Sequence, residues 1–259
     1  MMFSVTILDF DHLYRFQSFY KGVDHCWVDL SDLSGVHYFC HQDTLRDIDL
    51  RIPARTPQLL FIGSGNYHYV TYLLLRRIHQ PFTLALFDYH PDLLPSPSDE
   101  VISCGSWVLR ALQTLPDLKK VVILGIHDAY KPQLPESLKP RVSIYTAREL
   151  SENTWLSSQL LQDISTPILY ISIDKDVLSK EIAVTNWNQG DLSLDQLLET
   201  LNLLLSRYHI VGVDVCGEPY WNGDTLLNPT VRNLFIKNSK TNERILRGVL
   251  RQQFKQKAG

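Results

Sequence analysis

The segment Phe82-Thr83-Leu84-Ala85-Leu86-Phe87-Asp88-Tyr89-His90-Pro91-Asp92 narrows the possible folds of this chain more than any other stretch. An apolar run with β-branched and aromatic members reads as a buried strand. It ends in three side chains able to ligate a cation, Asp88, His90 and Asp92, at alternate positions. Side chains two apart share one face of an extended backbone, so two carboxylates and an imidazole are expected to converge where the strand leaves its sheet. In open α/β sheets that carboxyl edge is where ligands bind. The competing reading is a plain polar turn, which Pro91 permits; three convergent ligands weigh against it.

Other stretches repeat the theme. Phe3 to Phe10, Val36 to Cys40, Gln58 to Ile62, Lys120 to Ile126, Val142 to Tyr145, Pro167 to Ile173 and His209 to Val215 read as strands. The segment Asp11 to Ile48 resists parsing apart from its short strand, and Asp9, Asp11 and His12 read as a solvated turn. Gln58 to Ile62 feeds Gly63-Ser64-Gly65-Asn66-Tyr67-His68 and a helix from about Tyr67 to Ile78, which puts His68 at the same sheet edge as Asp88. The glycines allow tight backbone there, but the spacing matches neither phosphate-binding motif, which argues against a nucleotide site. Pro167 to Ile173 also ends in acid, at Asp174-Lys175-Asp176, again with two carboxylates two residues apart. Helices are expected near Ser103 to Leu115, Glu149 to Gln162 and from Asn228 onward, the last with a solvated Lys255-Gln256-Lys257 face. Ser193 and Gln196 form a capping box ahead of a leucine stripe, which is core.

Strands alternating with helices predict an α/β fold: a three-layer αβα sandwich with a mostly parallel central sheet, formed by residues 1–259 as one domain. A net charge of -3 offers no electrostatic case for nucleic acid or an anionic membrane. No apolar run approaches the ~20 residues of a membrane helix, and no signal peptide is apparent. Cys26, Cys40, Cys104 and Cys216 show no CxxC spacing, which fits a reduced, cytoplasmic setting.

Six residues from three strand ends are therefore expected at one sheet edge: His68, Asp88, His90, Asp92, Asp174 and Asp176. Four carboxylates in one place repel each other unless cations compensate them. Two divalent ions supply that compensation, and the oxygen-rich donors with two imidazoles favour Mn²⁺, with Fe²⁺, Co²⁺ and Zn²⁺ as alternatives. Paired ions ~3.5–4 Å apart generate a bridging hydroxide near neutral pH, which makes hydrolysis the natural reaction class.

This pattern resembles the ureohydrolases, the family of arginase, agmatinase and formimidoylglutamase. Its three signatures, a glycine-rich turn leading to His, Asp-x-His-x-Asp and Asp-x-Asp, occur here in order between residues 58 and 220. The resemblance implies an arginase-like fold. It also implies that His68, Asp88, Asp92 and Asp174 bind one metal while Asp88, His90, Asp174 and Asp176 bind the other. Hydrolysis of a linear C–N bond in a guanidino or amidino small molecule is implied in turn. Family members often form trimers or hexamers, so the resemblance leaves room for a homo-oligomer, without recognisable support from the C-terminal elements. Glu218 matches by region the family's anchor for the guanidinium, one residue late. The family's proton-relay His before a Gly is matched by Cys104 before Gly105, and His127 is the candidate substitute. Leu93-Leu94-Pro95 stands where arginases carry an asparagine for the substrate carboxylate, which argues against arginine. Asn186, Trp187 and Gln189 are the candidates for shaping substrate entry. Two other readings share the fold: an amide deacetylase, and a non-catalytic metal-binding protein.

Overall fold

All six residues of Phe82–Phe87 are buried, as a strand covered on both faces requires. The computed structural model describes residues 4–54, 58–152, 156–220 and 228–257, with the helix ends 151–152, 156–157 and 252–257 described by backbone alone. The strands are β1 (Ser4–Asp9), β2 (His25–Asp29), β3 (Phe39–His41), β4 (Gln58–Phe61), β5 (Phe82–Phe87), β6 (Val101–Ser103), β7 (Leu118–Ile126), β8 (Val142–Thr146), β9 (Ile168–Asp174) and β10 (His209–Cys216). The helices are α1 (Gln42–Arg51), α2 (Val70–Leu75), α3 (Trp107–Thr114), α4 (Ala147–Glu152), α5 (Leu156–Asp163), α6 (Leu194–Arg207) and α7 (Pro229–Lys257).

Eight strands make one sheet in the order β2-β1-β4-β10-β9-β5-β7-β8, and every pairing in it is parallel. Strand residues alternate between two cores, as the two-residue side-chain period dictates. Leu59 and Phe61, with Ala85 and Phe87, face a core that takes Leu197, Leu201, Leu204 and Leu205 from α6 and Ile245, Leu246 and Val249 from α7. Leu60, Leu84 and Leu86 face the other core, filled by Leu45 and Ile48 of α1, Leu73 and Leu74 of α2, and Trp107 and Ala111 of α3. These are the three layers expected from the sequence. Both hydrogen bonds of the Ser193/Gln196 capping box are present.

Three expectations are corrected. The strand placed at Val36 to Cys40 is the short β3, paired antiparallel with β6 outside the main sheet. The helix expected over Tyr67 to Ile78 is a 3-10 turn at Gly65–Tyr67 followed by the short α2. Asp9 is buried and accepts from Arg15 Nε and Trp27 Nε1, so it is no solvated turn residue. The exposure expected for Lys255, Gln256 and Lys257 lies outside the described side chains. Among the described residues, no helix is long and apolar enough to cross a membrane.

Candidate metal centre and its cavity

The four central strands β4, β10, β9 and β5 are neighbours, and the chain leaves each of them at the same edge. Beyond β4, Ser64 Oγ accepts from Asn66 N and starts the 3-10 turn that swings His68 over that edge. Gly65 is needed for close approach: a Cβ there would come 2.9 Å from Asp174 Oδ2. Buried His68 aims Nδ1 at Asp88 Oδ2 (3.3 Å), Asp92 Oδ2 (3.3 Å) and Asp174 Oδ2 (3.6 Å). Its Nε2 lies 2.9 Å from Ser172 Oγ, and that hydroxyl donates to Asp214 Oδ1 at 2.7 Å. With its proton committed to Asp214, Ser172 accepts from Nε2–H, which leaves Nδ1 of the neutral ring as a lone pair facing the acids.

The two acidic motifs converge by a different route from the one expected. Extended backbone does not continue to Asp92. β5 ends at Phe87, His90 N donates to Asp88 Oδ1 at 2.7 Å, and Asp92 sits at φ 49. Asp174 and Asp176 are brought together by a 3-10 turn, in which Asp176 N donates to Asp174 Oδ1 at 3.0 Å. The motifs then lock onto each other: Tyr89 N donates to Asp176 Oδ1 at 3.0 Å, and His90 Nδ1 lies 2.9 Å from Asp176 Oδ2. Trp107 Nε1 fixes Asp92 Oδ2 at 2.6 Å, and Cys216 Sγ contacts Asp174 Oδ2 at 3.2 Å.

The electrostatics follow from crowding. Burial and the Asp88 charge push Asp92 up to about 7, and the same two causes raise Asp174. Asp176 rises well above its usual range through burial and the charges of Asp174 and Asp88. Burial works against Asp88 too, but the imidazoles of His68 and His90 hold it at about 2. Burial pulls His90 down, yet Asp176 and Asp88 outweigh it and raise the ring to about 11. The cluster thus demands positive charge, which protons or bound cations can supply. The donor set fits cations. His68, Asp88 and Asp92 bring ligand atoms within 4.8 Å of one another, as do Asp88, His90 and Asp176, so Asp88 belongs to both groups. Among the described residues, buried Asp88 Oδ2 has no hydrogen-bond partner.

A cavity of about 650 Å³ opens over this cluster, with all six residues on its floor. Cys104 and Trp187 line it as well. Glu218 does not. It is fully buried, ion-paired with Lys175, and accepts from Gln17 Nε2, Asn238 Nδ2 and Asn242 Nδ2 at 2.8, 3.0 and 2.7 Å. Gly217, at φ +85, lets β10 turn Glu218 into that network. The expected substrate anchor is therefore already saturated from within. His127 also lies off the cavity: its Nδ1 accepts from Ala129 N, and its ring packs on Tyr89 and Tyr130. Asn186 is tied to Ser64 and Asn66, and Gln189 braces its own loop through Leu178 O, Ala183 O and Thr185 N.

A sequence profile described as the arginase family matches residues 14–217. This chain belongs to the arginase family. An uncharacterised protein of Thermotoga maritima is 32% identical over 215 residues, covering 83% of this chain and 80% of the relative. Formimidoylglutamase from Bacillus subtilis superposes with a TM-score of 0.70 at 16% identity, over 97% of this chain and 86% of that one. The Mn²⁺-containing formiminoglutamase of Trypanosoma cruzi gives 0.67 at 11% identity, over 96% and 92%. The two structures share the arginase-family fold with this chain.

Several residues of this arginase-family site carried no signal in the sequence. Lys175 lies inside the Asp-x-Asp motif, but its partner is 43 residues away. Tyr38 lines the cavity from a left-handed backbone conformation, φ 61, and its carbonyl accepts from Cys104 N at 2.9 Å. A bulky residue held there costs about 1–3 kcal/mol, a strain that clusters at ligand sites. The paired Tyr170–Asp214 and Ser172–Asp214 contacts behind His68 are likewise tertiary.

Proposed function

We propose that this arginase-family chain is a dinuclear metal-dependent hydrolase that cleaves a linear C–N bond in an amidino or guanidino small molecule. The observation that carries this reading is Asp88, common to two groups of ligand atoms at one sheet edge. His68, Asp88, Asp92 and Asp174 would hold one ion, and Asp88, His90, Asp174 and Asp176 the other. Four carboxylates match the charge of two divalent ions, and the oxygen-rich set favours Mn²⁺, the metal in the T. cruzi relative. When bound, such a pair would stabilise the negative charge that develops as the carbon is attacked and would lower the pKa of water.

The chain's own residues supply the orientation. Asp214 and Ser172 fix the tautomer of His68, Trp107 holds Asp92, and Tyr89 N holds Asp176. These supporting contacts keep the ligands in place before any ion arrives. The planar amidine carbon would lie over the floor of the cavity, with the rest of the substrate directed toward Tyr38, Tyr130 and Trp187.

The test is metal analysis of the purified chain combined with an assay for urea, amide or ammonia release across a guanidino and amidino panel. Two ions per chain with turnover is the expected result. One ion per chain would favour the deacetylase reading. Two ions with silence across the panel would favour the non-catalytic reading, for which the closed Lys175–Glu218 pair speaks.

A further inference from the structure

The cavity has two unlike ends. Its floor is the carboxylate–imidazole cluster. Among the described residues, the remaining lining carries no Lys, Arg, Asp or Glu. The wall away from the floor is built from Tyr38, Phe39, Leu94, Tyr130, Pro132 and Trp187. Eight large apolar side chains stand exposed among the described residues, and four of them, Tyr38, Phe39, Leu94 and Tyr130, are on this wall. Apolar surface concentrated at the mouth of a cavity marks a ligand site rather than scattered exposure. The rings form a continuous fence: Tyr38 meets Trp187 edge-on at 5.6 Å, Trp187 lies 5.8 Å from His90, and His90 lies 5.8 Å from Tyr130.

We propose that the substrate's amidine or guanidine nitrogen carries an uncharged aryl or alkyl group, packed on Tyr38, Leu94, Tyr130 and Trp187. A tail ending in carboxylate or ammonium gains nothing from that wall. This rests on the C–N hydrolase reading above and adds the substrate class. Among the described residues, a carboxylate tail would find no cation on the wall, and an ammonium tail would find no carboxylate outside the cluster. Each would shed part of its water against the rings without gaining a partner there. Glu218 cannot serve either, because Lys175 neutralises it inside the protein. For an N-substituted guanidine the balance is simple. The oxygen of water bonds to the central carbon and the bond to the substituted nitrogen breaks. One water proton goes to the departing amine and the other to the imino nitrogen, giving urea and an aryl- or alkylamine.

Binding calorimetry on the Mn²⁺-loaded full chain tests this without relying on turnover. Benzylguanidine is expected to bind at least about tenfold tighter than arginine or agmatine, the scale set by stranding a charge on an unpaired wall. Arginine or agmatine binding as tightly as benzylguanidine overturns the proposal. Agmatine would do so if the rings acted as a cation cage. Leu94→Asp places a carboxylate on the wall at a side chain that is 65% exposed, where folding tolerates it. The expected result is a ratio shifted toward agmatine by about fivefold or more; an unchanged ratio counts against the proposed wall. Tight benzylguanidine binding with no turnover supports the inference while removing the hydrolase reading. Turnover that favours arginine keeps the hydrolase reading and overturns the inference.

Discussion

Asp174, Lys175 and Asp176 are consecutive, all buried, and their surroundings are opposites. Lys175 turns away from the cavity into a closed set: Glu218 takes its charge, Asn242 Oδ1 accepts from it at 2.9 Å, and Gln17, Asn238 and Asn242 satisfy the carboxylate. Asp174 and Asp176 turn the other way, into a cluster where four carboxylates meet two imidazoles and Asp88 Oδ2 has no hydrogen bond among the described residues. One set is balanced inside the protein and the other is short of positive charge. Buried charge that is complete holds structure, whereas buried charge that is incomplete awaits a ligand.

The largest effect is expected from Asp88→Asn, which removes the carboxylate common to both ligand groups. Metal content should fall from two ions to one or none, and turnover by about 10³-fold or more, since stabilisation of the developing transition-state charge is worth several kcal/mol. Full metal content in this variant would mean that Asp88 is not shared. On the other side of the contrast, Lys175→Met strands Glu218 as an uncompensated buried charge. Destabilisation of about 3–5 kcal/mol is expected in urea unfolding, and the double variant K175M/E218Q, which removes the stranded charge and keeps an acceptor for the buried amides, should recover most of it. If the double variant is as unstable as the single one, the pair does more than balance itself.

That contrast was only half legible in the sequence. Asp88-Tyr89-His90-Pro91-Asp92 and Asp174-Lys175-Asp176 were visible because apolar strand runs end in ligand-type residues, and their order with His68 located the sheet edge. The same is true of the central strands, whose buried faces leave continuous apolar runs. β2 was missed because it is an edge strand whose residues are partly exposed, and α1 because only Leu45 and Ile48 of its ten residues are buried. Spacing predicted convergence through extended backbone, but local hydrogen bonds to Asp88 and Asp174 make turns there instead. The pairing of Lys175 with Glu218 was beyond reach, because only the packing of β10 beside β9 brings them together. Sequence reasoning could name the charged residues without telling which were already paired.

A smaller, graded effect separates protons from metal at the open cluster. In the metal-free chain the Asp176 and Asp88 carboxylates overcome burial and hold His90 at about 11, and His68 is also raised. His90 is therefore an imidazolium near neutral pH and must lose a proton to ligate. Metal affinity is expected to weaken as pH falls and strengthen as it rises, by about tenfold per unit for each displaced proton. Asp92, at about 7, adds a further proton below that pH. Competition titration of Mn²⁺ at two pH values about two units apart measures the slope. A flat profile would show that His90 is not a ligand.

The smallest effect is expected at Cys104, which stands where a proton relay was sought. In the metal-free chain, burial, reinforced by the charge of Asp92, pushes its thiol up to about 12. A group that neither gains nor loses a proton near pH 7 cannot shuttle one. Its side chain lines the cavity beside Gly105, and its backbone N–H anchors the strained Tyr38 carbonyl, a bond that any residue at this position can make. Cys104→Ala should therefore change kcat by less than about tenfold and leave the pH profile in place, whereas a true relay contributes about 10²–10⁴-fold. A loss beyond about 10²-fold with unchanged metal content would reinstate the thiol as a proton carrier and place it on the open side of the contrast.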